Sequence, residues 1–175
     1  MKKITFLTGG CRSGKSRYAL ELAQKFAGGQ QIFIATCMPF DEEMKQRVAR
    51  HQKDRGKNWI TLEVPIDLPE AIRENGSPGN VILVDCLTLW ISNLLMQAPE
   101  AAENEIIGSI DELEQSLQKV QCPIFLVSNE VGTGVVPENR LARKFRDIIG
   151  MLNQRVAACA HAVIWMVAGI PITIK

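Results

Sequence analysis

Residues 9–16 read Gly-Gly-Cys-Arg-Ser-Gly-Lys-Ser, with the spacing G-x-x-x-x-G-K-S. This run constrains the chain more than any other feature, because both flanks suit it. Lys3–Thr8 before it is a short apolar stretch that reads as a buried strand. Lys15–Phe26 after it sets Ala19, Leu22, Ala23 and Phe26 on one side of a helix, which Gly28-Gly29 stop. Glycines in a turn from strand into helix let backbone N–H groups close around phosphate oxygens. The helix N-terminus adds a positive dipole. A lysine at position 15 reaches the outer phosphates, and the Ser16 hydroxyl suits Mg²⁺. Gly9, Gly10, Cys11, Arg12, Ser13, Gly14, Lys15 and Ser16 are thus candidate nucleotide-binding residues. The rival account, a chance glycine turn, must meet the spacing and both flanks at once.

The rest of the chain keeps alternating strand and helix. Strands are expected at Gln31–Thr36, Trp59–Val64, Val81–Val84, Pro123–Val127 and Ala162–Val167, with a short edge strand at Ile172–Ile174. Helices are expected at about Asp41–Arg55, Pro69–Glu74, Leu87–Met96, Glu103–Val120 and Glu138–Ala160. The pattern predicts an α/β fold, a mostly parallel sheet with helices on both faces. There is no repeat, low-complexity tract or linker, and 175 residues suit one domain over 1–175. A net charge of +1 gives no general pull toward nucleic acid or anionic membrane. The five cysteines form no C-x-x-C pair and read as reduced thiols. No stretch is long enough for a membrane span, and the apolar run after Met1-Lys2-Lys3 is too short for an export signal. A cytoplasmic location is the expectation.

Three further positions invite chemistry. Asp85 ends the apolar strand Val81–Val84, where a phosphate-binding site needs an acid for Mg²⁺; given the phosphate loop, this role is favoured over capping the helix starting near Leu87. His51 stands among Lys45, Arg47, Arg50, Lys53, Arg55 and Lys57. Nearby cations favour neutral imidazole, the form that attacks phosphorus; composition alone fits a solvated basic face better. Glu63 suits a ribose or base contact and also an ordinary surface acid. Asn129–Pro137 is a glycine-rich loop at the presumed ligand edge, followed by Arg140, Arg143 and Arg146. It reads as a substrate cover or as a structural turn.

Taken in order, several runs match a known pattern. They are Gly9–Arg17, Ile34-Ala35-Thr36, Arg47-Val48-Ala49-Arg50-His51, Trp59–Glu63, Asn129–Arg140 and Phe145-Arg146-Asp147. Together they closely resemble the bifunctional adenosylcobinamide kinase/adenosylcobinamide-phosphate guanylyltransferase family of cobalamin biosynthesis, over essentially the whole chain. The resemblance implies a RecA-like P-loop fold and a homotrimer. It implies phosphorylation of adenosylcobinamide with ATP or GTP. Transfer of GMP from GTP to adenosylcobinamide phosphate then gives adenosylcobinamide-GDP and pyrophosphate. The GMP carrier maps to His51. Further nucleotide contacts map to Ala35, Thr36, Cys37, Gln52, Lys53, Asp54, Arg55, Glu63 and Asp85, with Ser16 and Asp85 at the metal. Some relatives pair two histidines where this chain has Arg50-His51, and some carry Glu in place of Asp85. Competing readings are a plain small-molecule kinase, with no nucleotide bound to His51, and a nucleotide-driven switch or motor. The sequence Asp85-Cys86-Leu87-Thr88 is not the D-x-x-G of a GTPase switch, and the net charge does not suit a nucleic-acid motor.

Overall fold

A computed structural model describes residues 3–26, 29–38, 42, 56, 58–97 and 103–175. Its strands are β1 (Lys3–Gly9), β2 (Gln31–Ala35), β3 (Trp59–Glu63), β4 (Val81–Asp85), β5 (Pro123–Val127), β6 (Ala162–Val167) and β7 (Ile170–Thr173). Its helices are α1 (Lys15–Ala23), α2 (Leu68–Asn75), α3 (Leu87–Gln97), α4 (Glu103–Lys119) and α5 (Arg140–Cys159). All seven strands join one sheet in the order β3-β2-β4-β5-β1-β6-β7. Every pairing is parallel except β6 with β7. The α/β fold expected from the alternation is therefore present.

Central strands need apolar residues on both faces, because helices cover both. β4 is buried from Val81 to Val84, and β5 along its whole length. Alternate residues divide between two cores, as the two-residue period of a strand requires. Ile4, Phe6, Ile82, Val84, Ile124 and Leu126 face α2 to α5, where they meet Ile72, Trp90, Leu113 and Leu152. Leu7, Leu83, Phe125 and Val127 face α1. There α1 presents Ala19 and Ala23, both fully buried. These small side chains let the helix lie close to the sheet, and so bring its N-terminus against the end of β1. Each fully buried aliphatic or aromatic side chain contributes about 1.5–3 kcal/mol.

Helix ends differ from the sequence reading in ways that have local causes. The α-helical part of α1 stops at Ala23, and Lys25 and Phe26 continue with tighter bonds to Leu22 and Ala23. α5 begins at Arg140 because the Asn139 side chain accepts from the Ala142 N–H and caps it. The last strand starts at Ile170, earlier than the expected Ile172, and forms a hairpin with β6. Its tight turn is Ala168-Gly169, with φ of 50° and 83°. Both central residues of such a turn need positive φ. Alanine is an unusual choice there, so the turn carries no strong sequence signal. The helix expected at Asp41–Arg55 lies almost wholly outside the described residues. Among the described residues, no helix is long and apolar enough to cross a membrane.

Candidate functional site

Strand register brings the candidate residues to one edge. Ala35 pairs with both Glu63 and Asp85, Asp85 pairs with Val127, and Val127 pairs with Leu7. All five strands are parallel, so this level is their carboxyl edge, where ligands bind in open α/β sheets. Gly9 lies two residues further along β1. Asp85 does not stand on the strand next to β1, since β5 lies between β4 and β1.

The loop after β1 has the conformation that the glycines anticipate. Gly14 is left-handed, with φ of 93°, and forms the N-cap of α1 without a side-chain cap bond. The first-turn N–H groups of α1 are therefore not satisfied by a capping side chain, which suits an anion. Gly9 also has positive φ, 151°, and a side chain there would run into the Met166 carbonyl and the Ser13 hydroxyl. Arg12 takes φ of 54°, uncommon outside glycine. Lys15 is buried, and its Nζ donates to the Gly10 carbonyl at 2.7 Å, folded back along the loop. A phosphate oxygen presents the same kind of acceptor to that ammonium. From outside, the β6–β7 turn supports the loop, with the Gly169 N–H donating to the Ser13 carbonyl at 3.1 Å. Cys11 is exposed.

The donor set fits Mg²⁺. The ion favours hard oxygen ligands and keeps waters and substrate phosphates in its shell, so one or two protein oxygens suffice. Ser16 lies in the first turn of α1, and Asp85 ends β4, both partly buried. Among the described residues, no donor bonds to the Asp85 carboxylate, so its role as the cap of α3 is not seen. Also among the described residues, no three His, Cys, Asp or Glu side chains gather into an all-protein metal cage. A cleft of about 360 Å³ beside Glu63 is lined by Asp67, Glu70 and Glu74. Its acids repel phosphates, which disfavours this cleft as the place for a triphosphate.

Thr36, expected to contact the nucleotide, has its polar groups engaged within the protein. It is fully buried. Its Oγ1 donates to the Cys86 carbonyl at 2.7 Å and accepts from the Cys86 N–H at 2.8 Å. Ala35 and Cys37, on either side of it, are partly buried, and Glu63 is exposed. The Asp85–Cys86 peptide is cis. The Cys86 thiol is pushed up to about 12, first by burial and then by the charge of Asp85 beside it. Burial also raises Cys122, to about 11. Neither is a nucleophile near neutral pH. His51, Gln52, Lys53, Asp54 and Arg55 lie outside the described residues.

The loop after β5 is tied down in part by Thr88 and Asn153, which the sequence reading did not single out. Thr88 Oγ1 lies 3.3 Å from Ser128 Oγ and accepts from the Asn129 N–H at 2.7 Å. Asn153 on α5 donates to the Asn129 carbonyl at 3.1 Å. The Glu130 N–H donates to the Gly9 carbonyl at 3.0 Å, joining this loop to the phosphate loop. Arg143 and Arg146, on the helix after the loop, donate to loop carbonyls: Arg143 to Pro137 and Glu138, Arg146 to Gly132. Buried Thr and Asn signal such bonds only once their burial is known. His161 has a structural place, its Nδ1 accepting from the Ile4 N–H at 3.1 Å.

Comparison with known proteins agrees with this geometry. The chain is similar in fold to a solved ATPase domain, with a TM-score of 0.52 and 12% identity over 94% of this chain and 69% of that one. It is 40% identical to the bifunctional adenosylcobalamin biosynthesis protein CobU of Escherichia coli (strain K12), over 98% of this chain and 99% of that protein. The protein of the same name from Salmonella typhimurium is 41% identical, with the same coverage. CobP of Pseudomonas aeruginosa, also described as a bifunctional adenosylcobalamin biosynthesis protein, is 41% identical over 97% of this chain and 95% of its own. Residues 5–174 match the cobinamide kinase/cobinamide phosphate guanyltransferase family, and the chain belongs to it.

Proposed function

We propose that one phosphate loop serves both reactions of the family and that His51 carries the GMP between GTP and adenosylcobinamide phosphate. The observation that supports a shared nucleotide site is the loop 9–16, whose left-handed Gly14 opens α1 with no side-chain cap. In the kinase step the hydroxyl of the aminopropanol arm of adenosylcobinamide attacks the γ-phosphorus of ATP or GTP. The bond to the bridging oxygen breaks, and the nucleoside diphosphate leaves. Lys15 and the loop N–H groups hold the phosphate charge, so catalysis here is mostly positioning. In the second reaction the His51 imidazole attacks the α-phosphorus of GTP, and pyrophosphate leaves. A phosphate oxygen of adenosylcobinamide phosphate then attacks that phosphorus, breaking the P–N bond and giving adenosylcobinamide-GDP. Imidazole is a good nucleophile near neutral pH.

Ser16 and Asp85 would hold Mg²⁺, which neutralises phosphate charge when bound. Further nucleotide contacts are assigned to Gly9, Gly10, Cys11, Arg12, Ser13, Ala35, Cys37, Gln52, Lys53, Asp54, Arg55 and Glu63. We assign residues 1–175 to a single cytoplasmic domain that assembles as a homotrimer and takes no nucleic-acid partner.

His51→Ala tests the division of labour. The variant is expected to lose covalent GMP and GMP transfer while keeping at least part of the phosphorylation of adenosylcobinamide. GTP labelled at the α-phosphate and at the γ-phosphate, used in parallel, reads both. A retained α-label should be acid-labile and alkali-stable, as a phosphoramidate is. Wild-type α-labelling of the folded variant would remove His51 as carrier and put the GMP on another residue; no retained α-label on the wild type would leave the plain-kinase reading.

A further inference from the structure

We propose that Thr36 is a positioning residue that fixes Asp85 for metal binding and makes no contact of its own with the nucleotide. The inference rests on the reading of Asp85 as the metal acid. Its ground is the use of every polar group on Thr36. The Thr36 N–H donates to the Asp85 carbonyl at 3.2 Å. The hydroxyl both donates to and accepts from the Cys86 main chain. The Thr36 carbonyl accepts from Asn93 Nδ2 at 2.7 Å, and Asn93 donates also to the Pro65 carbonyl at 3.0 Å. Thr36 is 0% exposed and Asn93 2%. No polar group of Thr36 is left over for a ligand.

The knot has a definite reach. Ala35 pairs with Asp85, so Thr36 lies one step past the level of the acid. It holds the two peptides that follow Asp85 by three bonds, two of them through one hydroxyl. Asn93 on α3 then joins this point to the chain leaving β3, two residues beyond Glu63. β4 ends in a carboxylate that no described residue holds by its oxygens. Among the described residues the restraint on it is therefore through the main chain, which sets where its Cα–Cβ bond points. An outer group that orients a metal ligand in this way typically matters by about 10–100-fold in metal affinity.

Thr36→Val keeps the shape and removes both hydroxyl bonds; Thr36→Ser keeps the hydroxyl. Binding of Mn²⁺, read by electron paramagnetic resonance with a non-hydrolysable GTP analogue present, is expected to weaken about tenfold in Thr36→Val and to recover in Thr36→Ser. Analogue binding in EDTA, where no metal takes part, should stay at the wild-type level. A loss of EDTA binding in folded Thr36→Val would make Thr36 a direct nucleotide contact and overturn the proposal. So would wild-type Mn²⁺ affinity. Asp85→Asn alone should weaken Mn²⁺ binding, and adding Thr36→Val should weaken it no further. Normal Mn²⁺ binding in Asp85→Asn would sink the reading of Asp85; a defect there beside normal binding in Thr36→Val would sink only the present inference. A further loss in the double variant would show Thr36 acting by another route, and this too overturns it. Melting curves accompany each variant. If Thr36→Val does not fold, Thr36→Cys carries the same comparison, with a thiol as the weaker hydrogen-bonding group.

Discussion

The loop after β1 and the loop after β5 leave neighbouring strands at the same edge of the sheet, and both are rich in glycine. Their restraints come from different places. In residues 9–14 the shape comes mostly from the loop's own glycines, with Gly9 and Gly14 in conformations that side chains rarely adopt, and two main-chain bonds, from Gly169 and Glu130, add outside support. In residues 128–139 the positions are set by residues from elsewhere: Thr88, Asn153, Arg143 and Arg146. A locally encoded loop is ready for its ligand before it arrives. A loop held from outside keeps its place only while those partners stay. Substitutions should therefore act differently in the two.

The largest effect is expected at Lys15. Lys15→Ala removes the ammonium that the first loop brings to the phosphates, so both phosphorylation and guanylylation should fall by about 10²–10³ in rate. Steady-state kinetics of each reaction with the folded variant checks this. Near-normal kinase turnover would separate the loop from the chemistry and leave the comparison without its functional half.

Gly9→Ala should cost less activity but more stability. The added Cβ meets the Met166 carbonyl, which is backbone of β6 and cannot swing aside. Positive φ adds strain, for a total of about 1–3 kcal/mol. A thermal melt should fall accordingly, and GTP should bind more weakly because the cradle has shifted. A melt matching wild type would show that this loop is less locally determined than its glycines indicate.

The same contrast explains what the sequence discloses. Gly9, Gly14, Lys15 and Ser16 are legible because each type answers a local demand of backbone angle, charge or hydroxyl. The strands Val81–Asp85 and Pro123–Val127 are legible because burial on both faces leaves an uninterrupted apolar run. Strand order is not legible, so Asp85 looks adjacent to the loop when β5 stands between. Thr36 is opaque for a related reason: the resemblance alone marks it as a nucleotide contact, and its burial and its bonds to Cys86, on which its proposed positioning role rests, depend on a partner 50 residues away. Thr88, Asn93 and Asn153 escape notice because the partners that give them meaning are 24 to 57 residues away in the chain.

The smallest effect on global stability is expected at Arg146, although it touches the second loop directly. Its Nη2 donates to the Gly132 carbonyl at 2.6 Å, while its Nη1 is buried without a partner among the described residues. One hydrogen bond contributes about 0.5–1.5 kcal/mol, and one unpaired buried polar group costs about 1–3 kcal/mol. The two nearly cancel, so Arg146→Met should leave the melting temperature almost unchanged while the apolar stem is retained. The loop should respond all the same, because the Gly132 carbonyl loses its anchor and residues 133–136 are exposed. Amide hydrogen exchange over 131–136 should quicken, while exchange over 9–16 stays as it was. Local opening without global loss is the signature of a segment restrained from outside. Unchanged exchange in 131–136 would mean that Arg143 and Asn153 hold the loop by themselves. Faster exchange in 9–16 as well would mean that the bond from the Glu130 N–H to the Gly9 carbonyl couples the loops, and that the first is less self-sufficient than its glycines suggest.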